Sequence, residues 1–235
     1  MSRLFAFSLA AILCLSQLLT ATPLTDGGGT DRAAVDTPGG MPKQCQPGKT
    51  SAGTLGWRWK PGTRVRIQYV RDNFNAEEVA AMSRAVENWN AALVDTNSDV
   101  VFSISEDEAD NRKGARILVE RGVPRGRDRV GELRLHSVFN GSVSLSLTIS
   151  PVVTDLEALT SLMTHEIGHS LGLADCYECR RGTTAMSAFK SKNKGNEVFQ
   201  PSECDLYVVA AGYSVRTQVA TRLRRVDPGL MPADN

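Results

Sequence analysis

Hydrophobic and polar residues alternate along several short segments of the chain, which is the pattern of strands that bury one face. The apolar positions of these segments are Val65, Ile67, Tyr69; Val100, Phe102, Ile104; Ile117–Val119; Leu133, Leu135; and Val143, Leu145, Leu147, Ile149. Asn140-Gly141, between the last two segments, is a residue pair that favours a tight hairpin turn. The alternation therefore predicts a sheet whose last two strands form a hairpin.

A different spacing, of three and four residues, follows the first of these strands. The apolar positions there are Val79, Met82, Val86, Trp89 and Leu93. This spacing puts them on one face of a helix. Asn75 and Glu78 stand three residues apart at its start, as in a capping box. We expect this helix to pack on the sheet as scaffold.

Two more helices are predicted after the hairpin. Thr154 and Glu157 have the spacing of a capping box at the start of the first, and Gly172 can end it in the left-handed conformation. Its buried stripe consists of Leu159, Leu162, Met163 and Ile167. The last helix is expected to start at Ser202, with Asp205 at its third helical position, and to run to about Tyr213.

The N-terminus has the layout of a secretory signal peptide: Arg3, the mostly apolar stretch 4–19, then small residues around Ala21. The stretch is short for a membrane span, which needs about 20 apolar residues. We therefore expect residues 1–21 to be a signal peptide. The expected domain organisation continues with a linker or short pro-segment (22–55), a folded domain (56–214) and a polar C-terminal tail (215–235).

The composition is that of an ordinary globular protein, with 41% hydrophobic and 23% charged residues. The 235 residues fit one domain with short appendages, and the formal net charge of +1 gives no sign of a nucleic-acid-binding surface. We expect a secreted protein, extracellular or periplasmic, that is a monomer and has no membrane contact after signal removal.

The cysteines that follow the signal segment are Cys45, Cys176, Cys179 and Cys204. An even number in an exported chain indicates two disulfides, and four cysteines allow three pairings. The sequence does not decide among these. We favour one bond from the loop after Asp175 to Cys204, and a second from Cys45 to the remaining loop cysteine.

The helix that ends at Gly172 carries metal-ligating residues. His165 and His169 stand four apart, which puts both imidazoles on one helix face, able to share a zinc ion. Asp175 follows the turn at Gly172 and can return to the metal. Glu166 is positioned to take a proton from zinc-activated water. The sequence therefore predicts one catalytic zinc ion, with the two histidines and Asp175 as ligands and Glu166 as general base.

The segment His165-Glu166-x-x-His169-x-x-Gly172-x-x-Asp175 resembles the zinc site of the metzincin peptidases. Asp175 stands where that family usually has histidine, and this aspartate is similar to the snapalysin-like branch. Ala185-Met186-Ser187 resembles the Met-turn under the metzincin zinc. The segment from Pro201 to Tyr213 is similar to the C-terminal helix of the matrixins. The resemblance is one of motif from about Val153 to Tyr213 and one of topology before it.

This resemblance implies an α+β fold, with a twisted, five-stranded mixed sheet, a backing helix, a zinc-binding active-site helix and a C-terminal helix. It also implies a zinc metalloendopeptidase that binds protein or peptide substrates as an extended strand along residues 133–138. Asp175 brings a negative charge that a third histidine would not, so we expect the zinc to be a somewhat weaker Lewis acid.

Alternatives remain open at the level of sequence. His136 is another candidate for the third ligand, although an exposed strand histidine is the simpler interpretation. A secreted binding module with a structural zinc and no turnover would need a fourth protein ligand, for which Cys176 is the obvious candidate. A metal-free domain would leave Glu166 without a purpose.

Two further interpretations concern regulation and catalysis. The segment from Pro42 to Pro47 faintly resembles the matrixin pro-segment switch, in which a thiolate, here that of Cys45, occupies the zinc and keeps the enzyme latent. Three tyrosines are candidates to assist the oxyanion, and the sequence does not choose among them: Tyr177, Tyr207 and Tyr213.

Overall fold

The computed structural model of the chain describes residues 44–107, 114–126, 129–139, 142–187 and 197–224. The expected signal peptide, residues 1–21, lies outside these ranges, as does the predicted turn pair Asn140-Gly141. Within the described ranges, no helix combines the length and the apolar character that a membrane crossing requires.

Five strands and three helices follow one another along the described residues. The strands are β1 (Arg64–Tyr69), β2 (Val101–Glu106), β3 (Ala115–Arg121), β4 (Gly131–Phe139) and β5 (Ser142–Ile149). The helices are α1 (Ala76–Leu93), α2 (Leu156–Ser170) and α3 (Glu203–Arg224). The predicted strands and helices are confirmed, and the fold is α+β as expected.

The strands form one mixed sheet in the order β2-β1-β3-β5-β4. β1 is parallel to both of its neighbours, β3 is parallel to β5, and β4 runs antiparallel to β5. Within the described sheet, β4 is therefore an edge strand. The outer edge of such a strand presents backbone donors and acceptors that an extended peptide can pair with.

One hydrophobic core joins the sheet to α1 and α2. Alternate positions of the inner strands are buried in it, such as Ile67, Ile117 and Leu147. The predicted apolar stripe of α1 packs into the same core. Trp89 of α1 is fully buried, and its Nε1 donates a hydrogen bond of 2.8 Å to the carbonyl oxygen of Thr164 in α2. The core thus fixes the helix that carries the two histidines.

The starts of the first two helices test the predicted caps. The capping box of α1 is confirmed, since Asn75 and Glu78 each accept a hydrogen bond from the other's backbone N–H. In α2, however, the N-cap is Asp155 and not Thr154: the Asp155 carboxylate accepts a hydrogen bond from Ala158 N at 2.8 Å. Aspartate caps as well as threonine does, and its charge also favours the positive end of the helix dipole.

Residues 44–57 form a segment that we call the N-terminal strap. Gly53 accepts a hydrogen bond of 3.0 Å from Ala174 N, and Leu55 N donates one of 2.6 Å to the carbonyl oxygen of Gly172. Ser51 is fully buried in this segment. Residues 44–55, which we expected to belong to a linker, are thus packed on the folded domain, beside the loop that follows α2.

The last helix is longer than expected. Ser202 caps it: Ser202 N donates to the Asp205 carboxylate at 3.0 Å, and Asp205 N donates to Ser202 Oγ at 3.1 Å. The helix then continues to Arg224 rather than ending near Tyr213. Residues 215–224, expected to belong to the polar tail, are therefore helical.

Two disulfides join the four cysteines, as predicted, but the favoured pairing is wrong. Cys45 is bonded to Cys204, and Cys176 is bonded to Cys179. The first bond fastens the strap to the start of α3. The second closes a tight loop directly after Asp175, because the two loop cysteines lie close enough to bond with each other.

Candidate metal centre

Three side chains converge at the C-terminal end of α2. Oδ1 of Asp175 lies 3.1 Å from Nε2 of His165 and 3.5 Å from Nε2 of His169. The three ligand atoms lie within 4.8 Å of one another. The histidines come from successive turns of the helix, and Asp175 returns to them around Gly172. The predicted ligands are thus brought together.

Gly172 makes this return possible. Its φ of 94° is a left-handed conformation that residues with a side chain rarely adopt. A Cβ added there would lie 2.9 Å from the carbonyl oxygen of Trp57 in the strap. Both the backbone conformation and the packing therefore require glycine at the position where the sequence predicted the helix to end.

The hydrogen bonds of the two imidazole rings show why a cation would be favourable between these ligand atoms. Nδ1 of His165 lies 2.8 Å from the carbonyl oxygen of Ala185, and Nδ1 of His169 lies 2.8 Å from that of Leu173. A carbonyl oxygen only accepts, so each Nδ1 carries a proton, and Nε2 of the neutral ring then presents a lone pair. Two such lone pairs facing a carboxylate oxygen attract a shared positive charge.

This donor set fits zinc. Imidazole nitrogen and carboxylate oxygen are both ordinary zinc ligands, and three protein ligands leave a fourth position for water or substrate. Ligand histidines also usually donate their second ring N–H to a carbonyl or carboxylate, which fixes the tautomer. Both histidines here have that outer hydrogen bond. Zn²⁺ would therefore be held by His165, His169 and Asp175.

The pKa values of Asp175 and His169 also indicate that positive charge is favourable between the ligand atoms. Burial alone would raise the pKa of Asp175, but the hydrogen bonds that His165 and His169 donate when they are protonated outweigh it and hold this pKa well below its usual range. Burial alone would lower the pKa of His169, whereas its bond to Asp175 and the charge of Glu166 raise it above its ordinary value. Protons and a metal ion therefore compete for the same atoms at low pH.

Glu166 adjoins the ligands from the side of β4. Its side chain is buried, and within the described residues its Oε2 has no hydrogen-bond partner. A Cβ added at Gly131 would lie 2.7 Å from Oε1, so the glycine at the start of β4 makes room for this carboxylate. Burial raises the pKa of Glu166 above its ordinary value, although the two histidines and a hydrogen bond from the Leu133 backbone oppose the change.

The loop that accepts the hydrogen bond of His165 is anchored by α3. Asp205 is fully buried, and its carboxylate accepts hydrogen bonds from Thr184 Oγ1 and from Ala185 N. The ring of His165 is thus positioned through the Ala185 carbonyl by a residue 40 positions further along the chain. The sequence pointed to Asp205 only as part of a helix start, because this contact is tertiary and leaves no local pattern.

Met186, in the same loop, packs against α2. It is fully buried, and a Cβ added at Gly168 would lie 2.4 Å from its sulfur. Its carbonyl oxygen accepts a hydrogen bond of 2.7 Å from Cys176 N, which joins this loop to the one that carries Asp175. These contacts agree with the Met-turn resemblance of Ala185-Met186-Ser187.

Tyr177 orients Asp175 from outside. Its hydroxyl donates a hydrogen bond of 3.0 Å to Oδ2, which leaves Oδ1 facing the histidines. Of the tyrosines considered from the sequence, Tyr177 lines the cleft beside the ligands, whereas Tyr213 is buried and lies under the guanidinium of Arg58. Tyr207 belongs to α3 and does not line that cleft.

The other candidate ligands lie elsewhere or are chemically blocked. His136 is exposed on β4, at an irregularity of the pairing with β5, and does not belong to the group of ligand atoms. Cys176 and Cys45 are both disulfide-bonded and offer no thiolate. Among the described residues, neither a fourth ligand from Cys176 nor the Cys45 latency switch is formed.

A cleft of about 570 Å³ opens beside His169 and Asp175. Leu133, Leu135 and Tyr177 lie along it, together with Leu55 and Trp57 of the strap. The cleft thus connects the metal ligands with the edge strand β4. A peptide paired with the part of β4 that lines this cleft would lie beside His169 and Asp175.

No protein-family model matches the chain, and no curated protein matches it. Among solved structures it is similar to archaemetzincin of Methanopyrus kandleri, with 14% identity over 65% of this chain and 97% of that one, at a TM-score of 0.42. It is also similar to metalloproteinase-II of Bacteroides fragilis, with 15% identity over 72% and 58% of the two chains, at a TM-score of 0.44. A third is high choriolytic enzyme 1, a hatching-enzyme zinc protease of Oryzias latipes, with 14% identity over 67% and 94%, at 0.39.

Likeness at this level assigns no activity to the chain. The chain's own described elements, a five-stranded mixed sheet, α1, the histidine-bearing α2 and the C-terminal α3, are those that the metzincin resemblance in the sequence implied.

Proposed function

We propose that this chain is a secreted zinc-dependent endopeptidase of the metzincin type. The observation that carries the proposal is the convergence of three ligand atoms beside a buried carboxylate, Glu166, whose Oε2 has no partner within the described residues. A structural site needs no such carboxylate, whereas hydrolysis needs a group that accepts and returns a proton.

Each residue of the centre has a defined role in this proposal. His165, His169 and Asp175 hold one zinc ion, which when bound supplies Lewis-acid activation of water and of the substrate carbonyl. Glu166 accepts the proton of the attacking water and delivers it to the leaving amine.

The substrate of the proposed reaction is a protein or peptide bound in an extended conformation. β4 is an edge strand of the described sheet, so backbone groups along its outer edge can pair with such a chain by strand addition. Pairing of this kind holds the middle of a substrate by its main chain and requires neither of its ends. This is the reason to propose an endopeptidase rather than an exopeptidase.

The main alternative is a secreted binding module with a structural zinc. Such sites are usually closed by a fourth cysteine or histidine. The disulfide of Cys176 with Cys179 removes the nearest thiolate, and His136 is exposed on β4. The two disulfides and the apolar stretch at residues 4–19 favour an exported protein for either function.

The proposal is tested by hydrolysis of casein and of a peptide library, with a zinc chelator and after zinc is restored. We expect chelation to abolish cleavage and zinc to recover it. Glu166→Gln should keep its zinc and fold yet lose at least about 100-fold in kcat, since a positioned general base contributes roughly 10²–10⁴-fold. Glu157→Gln, on the exposed face of the same helix, is the matched control and should cleave normally.

A Glu166→Gln variant with near-normal cleavage would contradict the role of Glu166. Zinc-loaded wild-type protein that cleaves no peptide in the library would favour the binding module.

A further inference from the structure

The strap contributes one wall of the cleft beside the metal ligands. Leu55 and Trp57 lie on this wall, and Leu133 and Leu135 of β4 lie among the other lining residues. Leu55 and Leu135 are 39% and 58% exposed, so apolar surface faces the open cleft. Exposed apolar surface that adjoins functional groups commonly marks a binding site.

The strap is held against the domain at three points, so its position beside the cleft is fixed by the fold. The disulfide from Cys45 to Cys204 fastens its beginning. The backbone pairing of residues 53–55 with residues 172–174 fastens its end next to Asp175. Trp57 packs against the core, with its ring centroid 4.9 Å from that of Trp59. Leu55 is therefore presented to the cleft at a fixed distance from the ligands.

The chemistry of the lining selects the occupant. Leucine, tryptophan and tyrosine side chains favour a large apolar group, which would be removed from water on binding. Arg129 and Arg134 also line the cleft and bring positive charge to it. Arg134 is paired with Glu132, so Arg129 is the lining cation that would repel a lysine or arginine side chain, and bulk alone does not satisfy the site.

We propose that the N-terminal strap determines the specificity of this protein, and that the cleft between Leu55 and β4 takes a large apolar side chain of a peptide bound along β4. The inference rests on the proposed peptidase function and names the substrate class of the same site. It also makes the strap a permanent part of the active protein, because a cut before Cys45 leaves residues 45–57 continuous with the domain and the disulfide holds their first residue against α3.

The test varies one residue of the strap and one position of the substrate. Cleavage-site profiling of the wild-type protein should show one substrate position with a preference for leucine or phenylalanine over alanine and lysine. Leu55→Ala should lower kcat/KM for the preferred peptide roughly 10-fold. One methylene group more or less in an apolar pocket changes kcat/KM by about 10-fold or more. The same variant should change kcat/KM for the alanine peptide by less than about 2-fold.

A second variant gives the opposite expectation. Leu55→Trp fills the cleft, so the preference at that same position should move from phenylalanine to smaller side chains. Val94→Ala, at an exposed apolar residue that does not line the cleft, is the control and should leave the profile unchanged. A profile that is the same in wild type, Leu55→Ala and Leu55→Trp would overturn the proposal.

Binding separates this inference from the proposed function. The peptides that differ at the chosen position are fluorescently labelled, and their binding to Glu166→Gln is followed by anisotropy. The phenylalanine peptide should bind more tightly than the alanine and lysine peptides, and Leu55→Ala in the same background should remove most of the difference. Equal binding of the three peptides would overturn the role of the strap, whereas absent cleavage by wild type with this order of binding would overturn only the peptidase function.

Discussion

At the scale of single residues, the metal centre depends on backbone carbonyls as much as on its ligands. His165 and His169 are both held in one tautomer by carbonyl oxygens, those of Ala185 and Leu173. A carbonyl does not titrate, so the orientation of the rings does not rest on a titratable group bonded to Nδ1. It depends instead on two loops, and one of them is fixed by Asp205.

The role of Asp175 leads to a prediction about metal affinity. Asp175→Ala should weaken zinc binding by at least about 100-fold, because the loss of an outer hydrogen-bond partner alone commonly costs 10–100-fold. His136→Ala should leave zinc affinity nearly unchanged, since His136 is exposed and lies outside the ligand group. Chelator competition on the two purified variants measures both values.

Asp175→His is the informative companion, because histidine is itself a good zinc ligand and the turn at Gly172 is retained. It should recover much of the affinity that alanine loses. A larger loss of zinc in His136→Ala than in Asp175→Ala would transfer the third-ligand role to His136.

The sequence was sufficient to bring the candidate ligands together and insufficient for their supports. His165, His169 and Asp175 could be predicted because the pitch of one helix and one glycine turn determine their relative positions. The hydrogen bond from Tyr177 to Asp175 and the anchoring of the Ala185 loop by Asp205 join separate parts of the chain or depend on a side-chain rotamer. Neither follows from spacing alone.

At the scale of secondary-structure elements, Arg121 joins the two helices to the sheet. From the end of β3, its guanidinium donates to the carbonyl oxygens of Ser150 and Val153, at 3.0 and 2.9 Å, and pairs with Glu78 of α1. It also lies 4.9 Å from the centroid of the Phe74 ring. The segment that leads into α2 is therefore fastened to the start of α1.

Removal of this guanidinium is predicted to be costly. Arg121→Ala should lower the free energy of unfolding by about 3 kcal/mol, because a largely buried carboxylate and two carbonyls lose their partner. Arg71→Ala is the matched control. Its pair with Glu106 is on the surface, with Arg71 74% exposed, so the loss should stay below about 1 kcal/mol.

Urea unfolding of both variants, in excess chelator so that metal binding does not contribute, measures the difference. Equal destabilisation by the two substitutions would show that Arg121 does not hold these elements together.

The elements themselves were predictable where one face is buried. β1, β5 and the stripe of α1 follow a strict period, and the structure confirms them. The first residue of α2 was not predictable in this way. Thr154 and Asp155 are both good N-cap residues, and the free energies of capping at the two adjacent positions differ by only a fraction of the cap energy. The length of α3 was also missed, since a polar sequence carries no apolar period to mark where a helix ends.

At the scale of the whole molecule, the two disulfides act on different properties. Cys45 and Cys204 are separated by 159 residues, whereas Cys176 and Cys179 are separated by 3. The loop-closure entropy that a crosslink removes from the unfolded chain grows with this separation, to about 5 kcal/mol for the long loop and about 2 kcal/mol for the short one. The short loop, however, carries Tyr177 and directly follows the ligand Asp175.

We therefore predict that two double substitutions rank in opposite order for the loss of unfolding free energy and for the loss of zinc affinity. Cys45→Ser with Cys204→Ser should cause the larger loss of unfolding free energy and leave zinc affinity within a few-fold of wild type. Cys176→Ser with Cys179→Ser should cost less stability but weaken zinc binding by about 10-fold, the order of an outer-shell effect. Urea unfolding in chelator and chelator competition measure the two quantities, and the same ranking of the variants in both would contradict this separation.

The pairing of the cysteines shows what the sequence could not provide. Their number and the expected export of the chain were enough to predict two bonds. Which cysteines meet depends on the path of residues 44–57, and that segment has no periodic pattern that would predict its pairing with residues 172–174. A composition rich in glycine and proline suggested a linker, although tertiary contacts fix residues 44–55 of it.

The long-range bond between Cys45 and Cys204 also has a consequence for how self-digestion would be seen. A proteolytic cut at any single peptide bond between these cysteines leaves the two fragments covalently attached. A preparation damaged by its own activity would therefore migrate as one band in non-reducing electrophoresis and separate into pieces only after a thiol is added. Under the proposed function, ageing samples of this protein would lose catalytic power while their apparent mass without a thiol stayed the same.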